Sequence, residues 1–350
     1  MSGNCIPCAM TDAPPEVSVA LPAFNAADTL PAALDSLLVQ THPDYEIVVA
    51  DDGSTDDTPR VLAAYATRHA RIRPLYLTHR GVAHAFNSAI DAARGAFVAR
   101  MDADDLCLPK RLELQAAHLR THPETGLVAS QVRFGGCRET CAGYAHHVDW
   151  TNSLTSAEAM RLGRFVDAPF ANPTAMFRRE LVARHGGARQ GDFPEDYEMW
   201  LRWMGAGVRM DKLSQALVVW NDPPQRATRT DPRYDPQAFY RVKALYLARW
   251  LEKHNPHHPD VVVVGSGRTT RKRSDLLVPH GVRIVAYVEV DPRKIGKAIG
   301  GVPVLSRDQM PGPQDCFVLP YVASRGAREE ICDMLDARGF RIGREYICVA

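Results

Sequence analysis

The sequence predicts an α/β protein with a mostly parallel, Rossmann-like sheet, followed by a second, smaller α/β unit. Three observations support this class. Short apolar runs alternate with amphipathic segments from Val17 to Met101, which is the pattern of a parallel sheet with right-handed crossover helices. Acidic clusters directly follow two of these runs, beginning at Asp51 and at Asp102. A fresh strand, glycine turn and helix pattern begins near residue 260.

The strands are predicted from short runs of β-branched and aromatic residues, and the helices from apolar spacing behind a capping residue or a first-turn proline. In order, they are strand Val17–Leu21, helix Asp28–Gln40, strand Tyr45–Ala50, helix Asp57–His69, strand Ile72–Leu77, helix Val82–Ala93, strand Ala96–Met101, helix Pro109–Arg120 and strand Gly126–Phe134. Residues 135–166 lose this regularity, and such irregular segments commonly shape a substrate pocket. One helix is predicted there, near Ser156–Leu162, and a strand at Asn172–Phe177 and a helix after Pro194 follow.

The two acidic clusters are the most informative feature of the chain. They occupy Asp51–Asp57 and Asp102–Asp105, each just after a predicted buried strand. Ligands of open α/β sheets bind at the carboxyl ends of the strands, so both clusters are expected at the ligand site. Their carboxylates would repel each other and any anionic ligand unless a cation lay between them. We therefore expect a divalent metal and a sugar nucleotide to share this edge.

Each acidic group also has a purely structural interpretation. The turn that begins at Asp51 could simply cap the next helix, and Asp104 could cap the helix near Pro109. Asp196 could be a first-turn residue that the helix dipole favours. The residue types alone leave these alternatives open.

Charge and hydropathy exclude several classes of protein. The 350 residues include 42 Lys and Arg against 41 Asp and Glu, a net charge of +1, which gives no basic footprint for nucleic acid. No apolar run approaches the roughly 20 residues that span a bilayer, and Met1–Ala13 lacks the pattern of a signal peptide. The eight scattered Cys are typical of free thiols in a reducing compartment. We expect a soluble, cytoplasmic protein.

Six motifs together resemble the family 2 glycosyltransferases, which have the GT-A fold, invert the anomeric configuration and use nucleotide sugars. They are Val17–Asn25, Asp51–Asp56, Gly81–Asn87, Asp102–Asp105, Leu108–Leu112, and Glu195–Tyr197 with Arg202. A single motif would be weak evidence, but their order and spacing make the resemblance strong. It covers about Val17 to Arg229.

The resemblance implies roles for particular residues. Phe24 would lie against the nucleotide base, and the donor site would include Pro22, Ala23, Asn25, Asp52 and Asp102. Of these, Asp52 would accept a hydrogen bond from the base and Asp102 would face the ribose.

The chemistry is implied in the same way. Asp104 would bind Mn²⁺ or Mg²⁺ at the diphosphate, since carboxylate and phosphate oxygens suit hard cations. Asp196 would be the general base that deprotonates a hydroxyl of a glycan, lipid-linked or small-molecule acceptor. A UDP-sugar is the favoured donor, and the product would belong to a surface glycan or glycoconjugate.

The domain prediction follows from these motifs. We expect a disordered N-terminus at 1–15, a GT-A domain at 16–234, a connecting helix and linker at 235–258 and a Rossmann-like domain at 259–350. The helix at Gln237–Lys253 mixes apolar and basic residues, so it could dock on the catalytic domain or contact an anionic membrane; the apolar positions favour docking. Few contacts are expected to cross the linker.

The C-terminal domain resembles the nucleotide-binding N-terminal domain of sugar O-acyltransferases. The resemblance rests on Val261–Gly267 and on Lys294–Leu305, and it is weaker than the first. It implies a second nucleotide or anion site at Gly265, Gly267, Arg268 and Asp291. The alternative is a module for homodimerisation or interdomain support. Thr270 stands where the fingerprint would have its third glycine.

Two other functions compete with glycosyl transfer. One is a catalytically silent protein that binds nucleotide sugars, although such a protein would not need both Asp104 and Asp196. The other is a dinucleotide-dependent oxidoreductase centred on residues 260–350, which lack a recognisable catalytic acid or hydride-acceptor pocket.

Overall fold

The structure is a computed structural model that describes residues 13–223, 226–322, 324 and 326–350. The predicted disordered N-terminus therefore lies almost entirely outside the described residues. The described chain forms two β-sheets with helices packed on them, which confirms the predicted α/β class. We call the part built on the larger sheet the first unit, and the part built on the smaller sheet the second unit.

The first unit contains an eight-stranded sheet. Its strands are β1 (Val17–Ala23), β2 (Tyr45–Asp51), β3 (Ile72–Tyr76), β4 (Phe97–Arg100), β5 (Leu106–Cys107), β6 (Thr125–Phe134), β7 (Met176–Arg178) and β8 (Arg209–Trp220). They lie in the order β3-β2-β1-β4-β7-β6-β8-β5. The first four are mutually parallel, and β7 runs antiparallel to both of its neighbours.

Ten helices precede the second sheet in the described chain. They are α1 (Leu30–Leu38), α2 (Thr58–Arg68), α3 (Val82–Ala92), α4 (Arg111–Thr121), α5 (Ala142–Ser153), α6 (Ala157–Gly163), α7 (Glu180–His185), α8 (Glu195–Gly205), α9 (Ala227–Thr230) and α10 (Pro236–His254). Helix α5 lies in the stretch predicted to be irregular, where polar and aromatic residues hide any apolar period. The predicted strand at Asn172–Phe177 is shorter, because Asn172–Thr174 forms a 3-10 turn around Pro173.

The register of the first sheet explains where its functional residues lie. Strands β1 and β2 are buried along their whole length, as expected for parallel strands covered on both faces. Ala23 pairs with Asp51, and Ala20 pairs with Arg100. The residues that follow these three strands therefore meet at one edge of the sheet.

The second unit contains a five-stranded sheet with the order β11-β12-β10-β9-β13. Its elements are β9 (Asp260–Val264), α11 (Arg268–Ser274), β10 (Arg283–Val288), β11 (Ala298–Ile299), β12 (Val302–Leu305), β13 (Val318–Pro320) and α12 (Ala327–Ala337). All pairings except β11 with β12 are parallel. After α12, Tyr346 makes isolated bridges to Val318 and Ile342.

Helix α10 lies between the two units and joins their cores. Its side chains Leu247 and Trp250 are buried in one cluster with Phe165 and Tyr197 of the first unit and Phe317 of the second. The expectation that few contacts cross between the units is therefore wrong, because the apolar face of α10 needs both units to be covered. The same burial confirms that this helix docks within the protein. Among the described residues, no helix is long and apolar enough to cross a membrane.

Candidate active site

A cavity of about 1070 Å³ opens at the carboxyl edge of β1, β2 and β4. Residues from both halves of the first unit line it. They include the predicted donor residues Pro22, Ala23, Phe24, Asn25, Asp52, Asp102 and Asp104, and also Glu195, the predicted base Asp196, Tyr234, Asp167 and Ala168. The structure therefore brings together all eight residues predicted for the first site.

Two stacked aromatic side chains, Phe24 and His79, line the cavity. The ring of Phe24 is 45% exposed and stacks on the ring of His79, with 4.2 Å between centroids. Asn25 adopts a left-handed backbone with φ 48°, and its side-chain oxygen accepts a hydrogen bond from Thr55 N at 2.9 Å. Asn25 N in turn donates to Ser54 Oγ at 2.8 Å. The acidic turn after β2 therefore holds the loop that presents Phe24.

Asp52 is buried and already engaged with the protein. Its Oδ1 accepts from Arg80 N at 3.0 Å and its Oδ2 from Gly81 N at 2.7 Å. Nδ1 of His79 lies 2.9 Å from the same Oδ2. Asp52 thus fixes the turn that carries His79. This acidic cluster therefore has a structural role, as the alternative interpretation of the sequence allows.

Asp102 is paired with a buried guanidinium. Nε and Nη2 of Arg100 lie 2.8 Å and 2.7 Å from Asp102 Oδ1. Arg100 is 4% exposed, and its guanidinium lies 4.3 Å from the ring centroid of Phe86. The ion pair neutralises Asp102 and fixes its direction at the cavity wall.

Asp104 and Asp105 lie next to each other at the same edge. Neither forms an ion pair with a Lys, Arg or His of the described residues. Burial and the neighbouring Asp102 raise the pKa of Asp104. Burial and Asp104 raise the pKa of Asp105 well above its ordinary value. The end of β8 fixes both residues, since Asn221 Nδ2 donates to Asp104 O at 2.7 Å and Asn221 N donates to Asp105 Oδ1 at 2.8 Å.

These carboxylates fit a cation that also has ligands from a substrate. Within the described ranges, no group of three or more His, Cys, Asp and Glu side chains is arranged to hold a metal alone. Magnesium-like ions in nucleotide sites commonly take one or two carboxylates together with substrate phosphates. Asp104 lines the cavity, and a cation bound there would offset the burial and the charge of Asp102 that raise the pKa of Asp104.

A pair of carboxylates that lines the cavity, Glu195 and Asp196, begins helix α8. Glu195 is 4% exposed, and its Oε2 accepts from the hydroxyl of Tyr234 at 2.8 Å. Burial, followed by the charge of Glu195, raises the pKa of Asp196 to about 7. Oδ1 of Asp196 accepts from Tyr197 N at 2.7 Å. A carboxylate with this pKa can take up a proton near neutral pH.

Arg202, which the motif also includes, has a structural position. It pairs with Glu198 one turn away on α8 and donates to the carbonyls of Gly186 and Gly187. It does not line the cavity.

A cluster of one cationic and two aromatic side chains, which the sequence alone did not reveal, also lines this cavity. The guanidinium of Arg226 lies between the rings of Tyr144 and Trp220, at 4.8 Å and 4.6 Å from their centroids. It donates to Asn221 O at 3.0 Å, and no carboxylate of the described chain forms an ion pair with it. Burial lowers the pKa of Arg226, but Tyr144, Asp105 and Asp104 together raise that pKa above its ordinary value. Only the basic character of the loop after β8 could have pointed to it.

The sequence predicts a second nucleotide or anion site in the second unit. Asp291 is paired with Arg293 at 3.0 Å in an exposed turn, and the acid at the end of β10 is instead Glu289, whose Oε2 accepts from Ser266 N at 2.9 Å. A cavity of about 360 Å³ lies nearby, lined by Thr269, Thr270, Arg273, Tyr321, Val322 and Ser324. None of Gly265, Gly267, Arg268 and Asp291 lines it.

Comparison with known proteins decides the family. The model of Glycosyl transferase family 2 matches residues 18–186. The chain is 31% identical over 214 residues to the putative glycosyltransferase EpsE of Bacillus subtilis, an alignment covering 58% of this chain and 72% of EpsE. The chain belongs to glycosyl transferase family 2. It is also 30% identical over 198 residues to the amylovoran biosynthesis glycosyltransferase AmsE of Erwinia amylovora, over 55% of this chain and 70% of AmsE.

A solved structure shows the same fold. S. aureus TarS 1-349, crystallised in complex with UDP-GlcNAc, is similar with a TM-score of 0.55 and 20% identity, over 76% of this chain and 71% of that chain. The motif resemblance and the predicted enzyme class, a glycosyltransferase, are thus confirmed. The resemblance of residues 259–350 to sugar O-acyltransferases stays a prediction.

Proposed function

We propose that this protein is a metal-dependent, inverting glycosyltransferase that moves a sugar from a nucleoside diphosphate sugar, favourably a UDP-sugar, to a hydroxyl acceptor. The observation that carries the proposal is one cavity lined both by Asp104 and by Asp196, a carboxylate whose pKa is raised to about 7. The polysaccharide-related names of relatives such as AmsE support an acceptor in surface glycan synthesis.

The donor would lie along the edge of β1, β2 and β4. The exposed ring of Phe24 offers a stacking face for the base, and the ordered turn at Asp52 and His79 backs that ring. Asp102, neutralised by Arg100, can accept hydrogen bonds from ribose hydroxyls without repelling the diphosphate.

The diphosphate requires positive charge near Asp104. A Mn²⁺ or Mg²⁺ held by Asp104 would supply it when bound, offsetting the charge that grows on the leaving group. Arg226 would supply a second positive charge, because its guanidinium faces this cavity without a carboxylate partner among the described residues. Tyr144 and Trp220 would keep that guanidinium in place by cation–π contact.

Asp196 would act on the acceptor. Its carboxylate takes the proton of the acceptor hydroxyl as the acceptor oxygen bonds to the anomeric carbon. The bond from that carbon to the diphosphate oxygen breaks, and its electron pair leaves with the nucleoside diphosphate. Attack from the side opposite the leaving group inverts the anomeric configuration, in a transition state like the one described for glycosidases.

A donor panel tests the proposal. UDP-, GDP- and dTDP-sugars are incubated with the protein, with Mn²⁺ or with EDTA, and the release of nucleoside diphosphate is measured. We expect release from one donor class, lost with EDTA and in Asp104→Asn. Binding of a nucleotide sugar without release from any donor, with or without an acceptor mixture, would instead favour the silent binding protein.

A further inference from the structure

Lys243 is a buried lysine on α10 whose side chain donates hydrogen bonds to backbone carbonyl groups of both units. It is 3% exposed, and its ammonium donates to Val166 O at 2.8 Å and to Val349 O at 3.0 Å. The ammonium also lies 4.1 Å from the ring centroid of Tyr240. Val166 belongs to the first unit, whereas Val349 belongs to the last residues of the second. One side chain therefore ties the C-terminal end of the chain to a loop of the first unit.

That loop forms the cavity wall beside the proposed base. We call residues 164–168 the wall segment; its members Asp167 and Ala168 line the same cavity as Asp196. The hydroxyl of Tyr197, the neighbour of Asp196, donates to Arg164 O at 2.6 Å. The side chain of Val166 packs on the core of the second unit, in the cluster that contains Cys348. The wall segment is thus held from both sides.

Residues 346–350 are fixed to the second unit by backbone hydrogen bonds and by burial of their side chains. They run beside β13, where Ile347 N donates to Val318 O at 3.2 Å and Val349 N donates to Pro320 O at 2.9 Å. The side chains of Ile347 and Val349 are fully buried. Movement of these residues would break the hydrogen bond from Lys243 to Val349 O and the backbone bonds to β13, which is costly in a protein interior.

We propose that Lys243 is a positioning residue through which the second unit holds the wall segment closed beside Asp196, so that the acceptor hydroxyl rather than water reaches the base. The inference rests on the function proposed above. It gives the second unit a task in catalysis although none of the residues described in that unit lines the cavity. Keeping water away from an activated donor is a common requirement of transferases.

A second buried lysine provides a matched comparison. Nζ of Lys212 donates to Thr151 O at 2.6 Å and Pro169 O at 2.7 Å, both in the first unit. Lys212 therefore supports the chain just after the wall segment without contacting the second unit. Lys253, exposed near the end of α10, serves as the surface control.

Hydrogen exchange of the full-length protein tests the connection without requiring turnover. In Lys243→Met, amides of residues 164–168 and of residues 346–350 should both exchange about tenfold faster, as expected for losing one or two buried hydrogen bonds. Lys212→Met should affect the first-unit segment but not residues 346–350, and Lys253→Met should affect neither. Faster exchange at 346–350 alone would overturn the proposed connection.

Donor hydrolysis tests the consequence for the site. With the donor that the wild type cleaves best and no acceptor, Lys243→Met should release nucleoside diphosphate several-fold faster, while its affinity for UDP with Mn²⁺ stays within about twofold of wild type. A merely structural defect would slow hydrolysis, so an unchanged or lower rate refutes the inference. Absence of hydrolysis and of transfer in the wild type would count against the proposed function instead.

Val166→Ala keeps the test decisive if Lys243→Met does not fold. The substitution removes only part of a half-buried side chain that packs on the second unit, so the protein should remain folded. It should raise hydrolysis and exchange at 164–168 in the same direction, by a smaller factor. Wild-type behaviour in both measurements would overturn the inference.

Discussion

Asp196→Asn should separate proton transfer from donor binding. The asparagine oxygen can keep the hydrogen bond from Tyr197 N, and the contact of Glu195 with Tyr234 is untouched, so the start of α8 should persist. Loss of a general base lowers rates by roughly 10² to 10⁴. The affinity for UDP should stay within a few-fold, because the proposed base acts on the acceptor, whereas Phe24 and Asp104, which would hold the nucleotide, are unchanged.

The pH dependence follows from the raised pKa of Asp196. Because the base is the deprotonated form and its pKa is about 7, activity should be lost as pH falls through 7. A single group with this pKa is roughly one-tenth deprotonated at pH 6 and nine-tenths at pH 8. The wild-type rate should therefore rise about tenfold between these values, and Asp196→Asn should lack this rise.

The assay measures nucleoside diphosphate release across this pH range and UDP affinity by calorimetry. Asp192→Asn, an exposed carboxylate in the preceding turn, is the matched control and should behave as wild type. The assignment of Asp196 fails if its variant stays within tenfold of the wild-type rate at pH 8. It also fails if the variant loses UDP affinity as strongly as it loses rate.

Three further substitutions probe the remainder of the cavity and the core. Arg226→Met should weaken UDP binding by about 10- to 100-fold, because a hydrogen bond to a charged group is worth about 1.5–3 kcal/mol. UMP binding should stay nearly unchanged, and equal loss of affinity for both nucleotides would refute a contact between Arg226 and the diphosphate. Phe24→Ala should weaken UDP and UMP alike by about tenfold or more through lost stacking, and unchanged calorimetric affinities would contradict this. Trp200→Ala should lower the free energy of unfolding in urea by about 3–5 kcal/mol, since the ring is 1% exposed against Trp203 and Phe177; a change below 1 kcal/mol would contradict that packing.

The edge of the first sheet could be predicted from sequence because parallel strands leave a simple signal. Buried runs such as Val17–Leu21 are recognisable by composition, and their carboxyl ends must lie together. The partners of the predicted residues could not be read in this way. In the sequence, Arg100 is an ordinary strand residue. Only the fold shows that its guanidinium packs on the ring of Phe86 and pairs with Asp102.

The joining of the two units was harder to predict for a related reason. Lysine is rarely buried, so a lysine within a helix such as α10 predicts a solvent-facing position. Its ammonium is accommodated by two carbonyl groups that are distant in sequence, and no local pattern reveals such partners. The position of Arg226 could not be predicted for the same reason, because its aromatic neighbours come from α5 and β8.

The anomeric form of the sugar first released from an α-linked donor tests single displacement at Asp196. Hydrolysis is run without acceptor, at an enzyme concentration that completes the reaction before mutarotation, and followed by proton NMR. If Asp196 activates water opposite the leaving diphosphate, the β-anomer appears first, and Asp196→Asn releases almost none. Initial release of the α-anomer would contradict an inverting mechanism at this base.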